Sequence, residues 1–261
     1  MNTLKTISLV GLTAVLAFSC NKSKETEESA EMAQQNSIAE SSSNELQNMS
    51  DEVSKGPGNL STYNGDCVTV TYDTTGNETN ITIDFGTVNC LCADGKNRRG
   101  KILINYSGNY GAVGTVVTAT TDEYFVNENK VLGERTATRS DDYVFDIQSD
   151  LTIELAAGGT LTWSSTRQRT QTEGTSTPFN LLDNVYTVTG NASGETAQGK
   201  DYNIEVTSAL TFQLGCRYIK EGVLEITSSH LDDEAIIDYG DGTCDNKATL
   251  SYGNKTKEIT L

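Results

Sequence analysis

Among side chains able to do chemistry, the six cysteines come first: Cys20 stands near the start, and Cys67, Cys90, Cys92, Cys216 and Cys244 lie further along the chain. Thiols can attack, ligate soft metals or pair. Cys90-Leu-Cys92 places two of them at alternate positions of an extended segment with no second ligand pair nearby, so pairing is the better reading. The loop from Asp238 to Asn246 gathers three carboxylates among flexible glycines, which makes Asp238, Asp241 and Asp245 candidate ligands for calcium. It lacks the order of an EF-hand loop, and a tight turn pinned by Cys244 accounts for the same residues without a metal. No other cofactor is suggested. His230 is the one histidine and sits in Ser228-Ser-His-Leu-Asp-Asp233, which reads as a surface hairpin loop. No G-x-S-x-G elbow, phosphate-cradling loop or dinucleotide fingerprint occurs. With 36 Asp and Glu, some carboxylate pair would meet glycosidase spacing by chance, so no catalytic constellation is assigned.

Stepping outward to the segments that hold these groups, residues 1–19 carry one cation, Lys5, and an apolar run from Ile7 to Phe18 broken only by Ser8, Gly11 and Thr13. That is the layout of a secretory signal, and it is too short for a membrane span of about 20 residues. Leu16-Ala-Phe-Ser-Cys20 closes the run and resembles the lipobox of bacterial lipoproteins, in which small residues precede a cysteine that receives diacylglycerol and becomes the first residue. Ala17 stands where the family usually has Leu, and Leu16 lies one place further back. The resemblance implies a lipidated Cys20, and Asn21 in place of aspartate implies the outer membrane, on its periplasmic or outer side.

Removing residues 1–19 takes away Lys5 and no acid, so the net charge goes from −17 to −18. Nucleic acid is excluded as a partner, since its phosphates demand the opposite sign. Residues 20–60 are rich in Ser, Glu, Gln and Asn, with few aromatic or β-branched side chains, and are expected to form a disordered tether. Glu25, Glu27 and Glu28 resemble an acidic surface-export signal of Bacteroidota lipoproteins, or are simply solvated tether charge.

From Cys67 onward the apolar period is two. Val68-Val70-Tyr72, Ile81-Ile83-Phe85, Ile102-Ile104-Tyr106, Tyr143-Phe145-Ile147, Leu161-Trp163, Leu210-Phe212-Leu214 and others alternate with polar residues. Such alternation predicts strands with one dry face. Turns are expected at Thr75-Gly-Asn77, Asn127-Glu-Asn129, Ala157-Gly-Gly159 and Asn191-Ala-Ser-Gly194. The expected fold is therefore one all-β domain over 61–261, a large antiparallel meander of about ten to thirteen strands forming a sandwich, a barrel or a curved open sheet.

An internal repeat relates 67–109 to 216–254. Ile83-Asp-Phe-Gly86 with Cys90 aligns with Ile237-Asp-Tyr-Gly240 with Cys244, and Cys67 corresponds to Cys216. The alignment predicts disulfides Cys67–Cys90 and Cys216–Cys244, with Cys92 left over or taking the place of Cys90. Anchor, tether, paired cysteines and D-[YF]-G motifs together resemble an uncharacterised type of Bacteroidota lipoprotein. The expected role is a non-enzymatic binding or structural module of the cell envelope. Its partners are the membrane, through the lipid, and an envelope protein, glycan or lipid ligand. Two alternatives stand beside it: a carrier holding a lipid in an apolar hollow of a curved sheet, and a carbohydrate-active enzyme.

Overall fold

The computed structural model describes residues 15–56, 60, 63–177 and 180–261, with the backbone alone for 15–23, 75 and 181. The first fourteen residues of the expected signal and the Cys20 side chain lie outside that description. A helix, α1 (Val15–Ser54), precedes fourteen strands. These are β1 (Thr69–Thr75), β2 (Glu78–Asp84), β3 (Cys90–Leu91), β4 (Asn97–Ser107), β5 (Val116–Val126), β6 (Asn129–Asp141) and β7 (Val144–Glu154). They continue as β8 (Thr160–Glu173), β9 (Val185–Glu195), β10 (Asp201–Gln213), β11 (Glu221–Thr227), β12 (Ala235–Asp241), β13 (Lys247–Tyr252) and β14 (Lys255–Thr260).

All fourteen join one antiparallel sheet in chain order, with the two-residue β3 attached to β4 alone and with β1 and β14 as its outer members. The all-β expectation is met in its curved, open form. Curvature needs strands that kink without clashing, and glycines inside strands allow it. At Gly133 (φ 137°) and Gly190 (φ 114°) a side-chain carbon would lie 2.0 Å and 2.3 Å from a carbonyl of a neighbouring strand. The alternation read from sequence fixes the faces. Leu161, Trp163, Ser165, Arg167 and Arg169 of β8 point inward, while Thr160, Thr162, Ser164, Thr166 and Gln168 are exposed. The outer face of β8 is thus polar.

The trough of the sheet is filled by α1, which over residues 20–54 replaces the expected disordered tether. Every residue from Leu46 to Val53 is buried, which requires cover on all sides of the helix. Contacts run from one end of the sheet to the other. Glu45 pairs with Arg98 of β4, Ser43 with Ser149 of β7, Asn36 with Trp163 of β8, Ser37 with Tyr239 of β12 and Glu25 with Tyr252 of β13. A helix this polar has no apolar stripe to dock on an oily surface and would not be stable alone. It is ordered because the trough, beside its apolar side chains, carries buried arginines that need acidic partners. Arg167 meets Glu40 at 2.7 Å, Arg169 meets Asp51 at 2.9 Å, and Arg98 meets Glu45 at 2.8 Å and Asp94 at 2.7 Å. Glu25, read as part of an export signal or a solvated tether, is buried, and Glu28 pairs with Lys200 at 2.6 Å.

The repeat is visible as matching strand pairs. Asp84 and Asp238 accept from the amides of Gly86 and Gly240 at 2.8 Å and 2.9 Å, and the intervening Phe85 and Tyr239 are both buried. Cys67–Cys90 and Cys216–Cys244 are the disulfides, and Cys92 is a free, buried thiol. Two local expectations are revised. Asn191–Gly194 lies inside β9 rather than in a turn; the chain reverses at 196–200 instead, where Thr196 and Lys200 exchange hydrogen bonds. Gly194 is needed there for close approach, since a Cβ would sit 2.1 Å from the Thr162 carbonyl. Tyr143, read as a core strand residue, is instead in the turn between β6 and β7 and is 41% exposed.

Candidate functional site

None of the residues singled out by type and spacing converges on a common site. The four paired cysteines brace the two repeat copies. Each of Asp238, Asp241 and Asp245 holds its own loop, accepting from the amides of Gly240, Thr243 and Lys247 respectively. Among the described residues no group of three or more His, Cys, Asp or Glu is placed to hold a metal. His230 is exposed in the loop between β11 and β12, with Nε2 3.4 Å from Asp201.

A cleft of about 550 Å³ opens where α1 ends. Its floor is the last helical turn. Asp51 accepts from the Tyr110 hydroxyl and from Arg169 Nη1, and Arg169 lies 3.5 Å from the centre of the Tyr186 ring. Tyr186 accepts from Asn184 at 3.0 Å, and Asn184 from Gln171 at 3.0 Å. These bonds fix the floor. With Gln47 Nε2, which also donates to Asp51 at 2.6 Å, they commit Asp51, the one carboxylate in the lining, to three partners. Burial and the charge of Asp51 keep Tyr110 protonated well beyond its ordinary range, and burial pushes Tyr186 up to about 12.

The walls come from chain reversals at one end of the sheet. Arg139 ends the inward row of β6, which also carries Arg135 and Ala137. Its backbone is stitched to the loop before β5: the Arg139 amide donates to Thr115 and its carbonyl accepts from Gly114. The guanidinium carbon lies 5.6 Å and 5.9 Å from the ring centres of Tyr143 and Phe145. Lys55, just past the helix end, contributes a second cation; burial lowers its pKa while Asp51 and Glu52 raise it.

Tyr143 is the unusual residue. Asp141 pairs with Val144, so Asp142 and Tyr143 form a two-residue turn, and Tyr143 adopts φ 62°. Glycine or asparagine is normal at such a position, and a bulky ring there costs about 1–3 kcal/mol. The turn places a half-exposed aromatic ring at the lip of the cleft, beside Arg139.

The cleft lining contains aromatic rings, the two cations Lys55 and Arg139, amides and hydroxyls, and its one carboxylate, Asp51, is already hydrogen-bonded. Sequence reasoning missed it, yet one signal was present. Arg167 and Arg169 continue the buried parity of Leu161 and Trp163, and arginines on a dry face require acidic partners from elsewhere in the chain. Comparison with known proteins returns no matching family model, no matching curated protein and no matching solved structure.

Proposed function

We propose that this chain is a non-enzymatic binding module, tethered to the outer membrane by lipid on Cys20, that takes its ligand in the cleft at the C-terminal end of α1. The observation that carries this reading is Tyr143, an aromatic ring held at a binding lip in a backbone conformation that costs stability. The helix adds a spatial argument. It begins beside the proposed anchor, and from Glu25 to Ser54 it spans about 44 Å at 1.5 Å per residue. Anchored at one end, the body would hold its cleft away from the lipid surface on a rigid axis.

The carrier reading is less well supported, because the trough is occupied by α1, and vacating it would present Arg98, Arg135, Arg167 and Arg169 to an acyl chain. The enzyme reading has no uncommitted carboxylate in the cleft. Two measurements test the proposal. Palmitate labelling and membrane fractionation should lose both signals in Cys20→Ser. Screening of the wild-type domain on glycans and envelope peptides should give binding that Tyr143→Asn abolishes; silence across the screen, or hits indifferent to Tyr143→Asn, would overturn the cleft assignment.

A further inference from the structure

Four arginines of the trough, Arg98, Arg135, Arg167 and Arg169, are at most 4% exposed, and each finds its partner on the helix. Arg167 has Glu40, Arg169 has Asp51 and Asn48, and Arg98 has Glu45. Arg135 is bonded by Gln47 and Ser43. Arg139 belongs to the same inward row of β6, four residues beyond Arg135 and so about 13 Å further along the strand. At that point the helix has ended. Among the described residues its one ion pair is with Asp142 at 3.3 Å, whose side chain is 80% exposed, and such a surface pair contributes little. Its Nε is shut away from solvent and makes no hydrogen bond.

Resting on the cleft reading above, we infer that the ligand is an acidic sugar, whose carboxylate takes at Arg139 the place that helix carboxylates take deeper in the trough. A guanidinium offers a planar fork that suits a carboxylate, and the neighbouring rings of Tyr143 and Phe145 suit the apolar face of a sugar ring. Lys55 adds further positive charge to the lining. Of the carboxylates nearby, Asp142 meets Arg139 only as the exposed surface pair. Asp51 is held by Arg169 and Tyr110, and Glu52 lies next to Lys55. The negative pole of the helix is softened because the Val53 carbonyl already accepts from Gly56 and from the Tyr72 hydroxyl.

The test uses the whole domain and the buried Nε–H of Arg139, which is shielded from exchange with water and readable by ¹⁵N-correlated NMR. Trigalacturonate is titrated against neutral galactotriose. The acidic probe should shift the Arg139 Nε–H resonance saturably, weaken as salt is added, and lose at least about tenfold in affinity in Arg139→Gln, with Arg139→Lys between. Thermal melts of both variants serve as a fold control. If both sugars bind alike and Arg139→Gln changes neither, the cleft reading stands and the acidic-ligand inference falls. If the acidic sugar binds but neither Arg139→Gln nor Tyr143→Asn weakens it, both readings fall. If neither sugar perturbs Arg139, the acidic-sugar assignment is rejected, and the wider screen decides the cleft.

Discussion

Replacing Glu40 by alanine removes the partner of Arg167 in the middle of the trough. Both side chains are nearly sealed, at 5% and 3% exposure, and the pair is made by Arg167 Nη2 at 2.7 Å and Nε at 3.3 Å. Arg167 has no fallback, since its third nitrogen, Nη1, already lacks a hydrogen bond. Deleting one member of a buried pair strands the other charge and costs about 3–5 kcal/mol. Against a total stability of about 5–15 kcal/mol this is a large share, and for a domain of this size it lowers Tm by roughly 6–20 °C. Replacing both residues, as Glu40→Leu with Arg167→Met, removes the charge problem with its cause and should return stability to within about 1–2 kcal/mol of wild type.

The assay is urea unfolding of the two single variants and the double variant, followed by circular dichroism, with the coupling energy read from the cycle. A coupling of about 3 kcal/mol or more is expected. A solvated tether makes the opposite forecast, because an exposed glutamate on a flexible segment contributes nothing measurable. A loss under about 0.5 kcal/mol in Glu40→Ala, with no coupling to position 167, would refute the placement of α1 inside the sheet.

Acid should act on a second pair. Burial opposes the charge of Glu45, but Lys96 and Arg98 hold its pKa down, from 4.5 to about 2. Because the folded pKa is the lower one, this stabilisation is present above about pH 4.5 and is lost as pH falls toward 2; it amounts to about 3 kcal/mol, and Glu45→Gln should flatten that part of the stability profile. Tyr143→Asn should leave stability within about 1 kcal/mol of wild type, because relief of about 1–3 kcal/mol of strain offsets the burial lost from a half-exposed ring, while binding disappears. A large fall in Tm would instead make Tyr143 a core residue. Iodoacetamide should leave buried Cys92 unmodified in the native domain and label it once urea is added; rapid native labelling would contradict its burial.

The parts of this fold that were legible in the sequence are those governed by local periodicity. Ile81-Ile83-Phe85 and Leu161-Trp163 declare their dry face by alternation alone, and the Asp-to-Cys spacing shared by the two repeat copies yields both disulfides. The helix was hidden because its order is not local. Residues 25–53 carry too little apolar surface to fold by themselves, and their partners are arginines more than a hundred residues away, such as Arg167 and Arg169. Tyr143 misled for a related reason. Its parity matches Phe145 and Ile147, so only the turn geometry reveals that it sits one step outside the strand. The cleft draws on Asp51, Tyr110, Arg139 and Tyr186, which belong to four separate segments and carry no shared motif.

The buried charges also explain how a polar helix finds a single position. An apolar helix in an apolar groove can slide by a turn at small cost, whereas here three acids at Glu40, Glu45 and Asp51 must meet Arg167, Arg98 and Arg169 simultaneously. The acids are five and then six residues apart, so moving α1 along its axis by one turn, about 5.4 Å, separates all three pairs at once and leaves each arginine stranded. Such pairs contribute more to register than to net stability. Register in turn decides where the helix stops. Asp51 is both the partner of Arg169 and the floor of the cleft, so the contact that fixes the helix also sets the depth of the space left for a ligand beside Arg139.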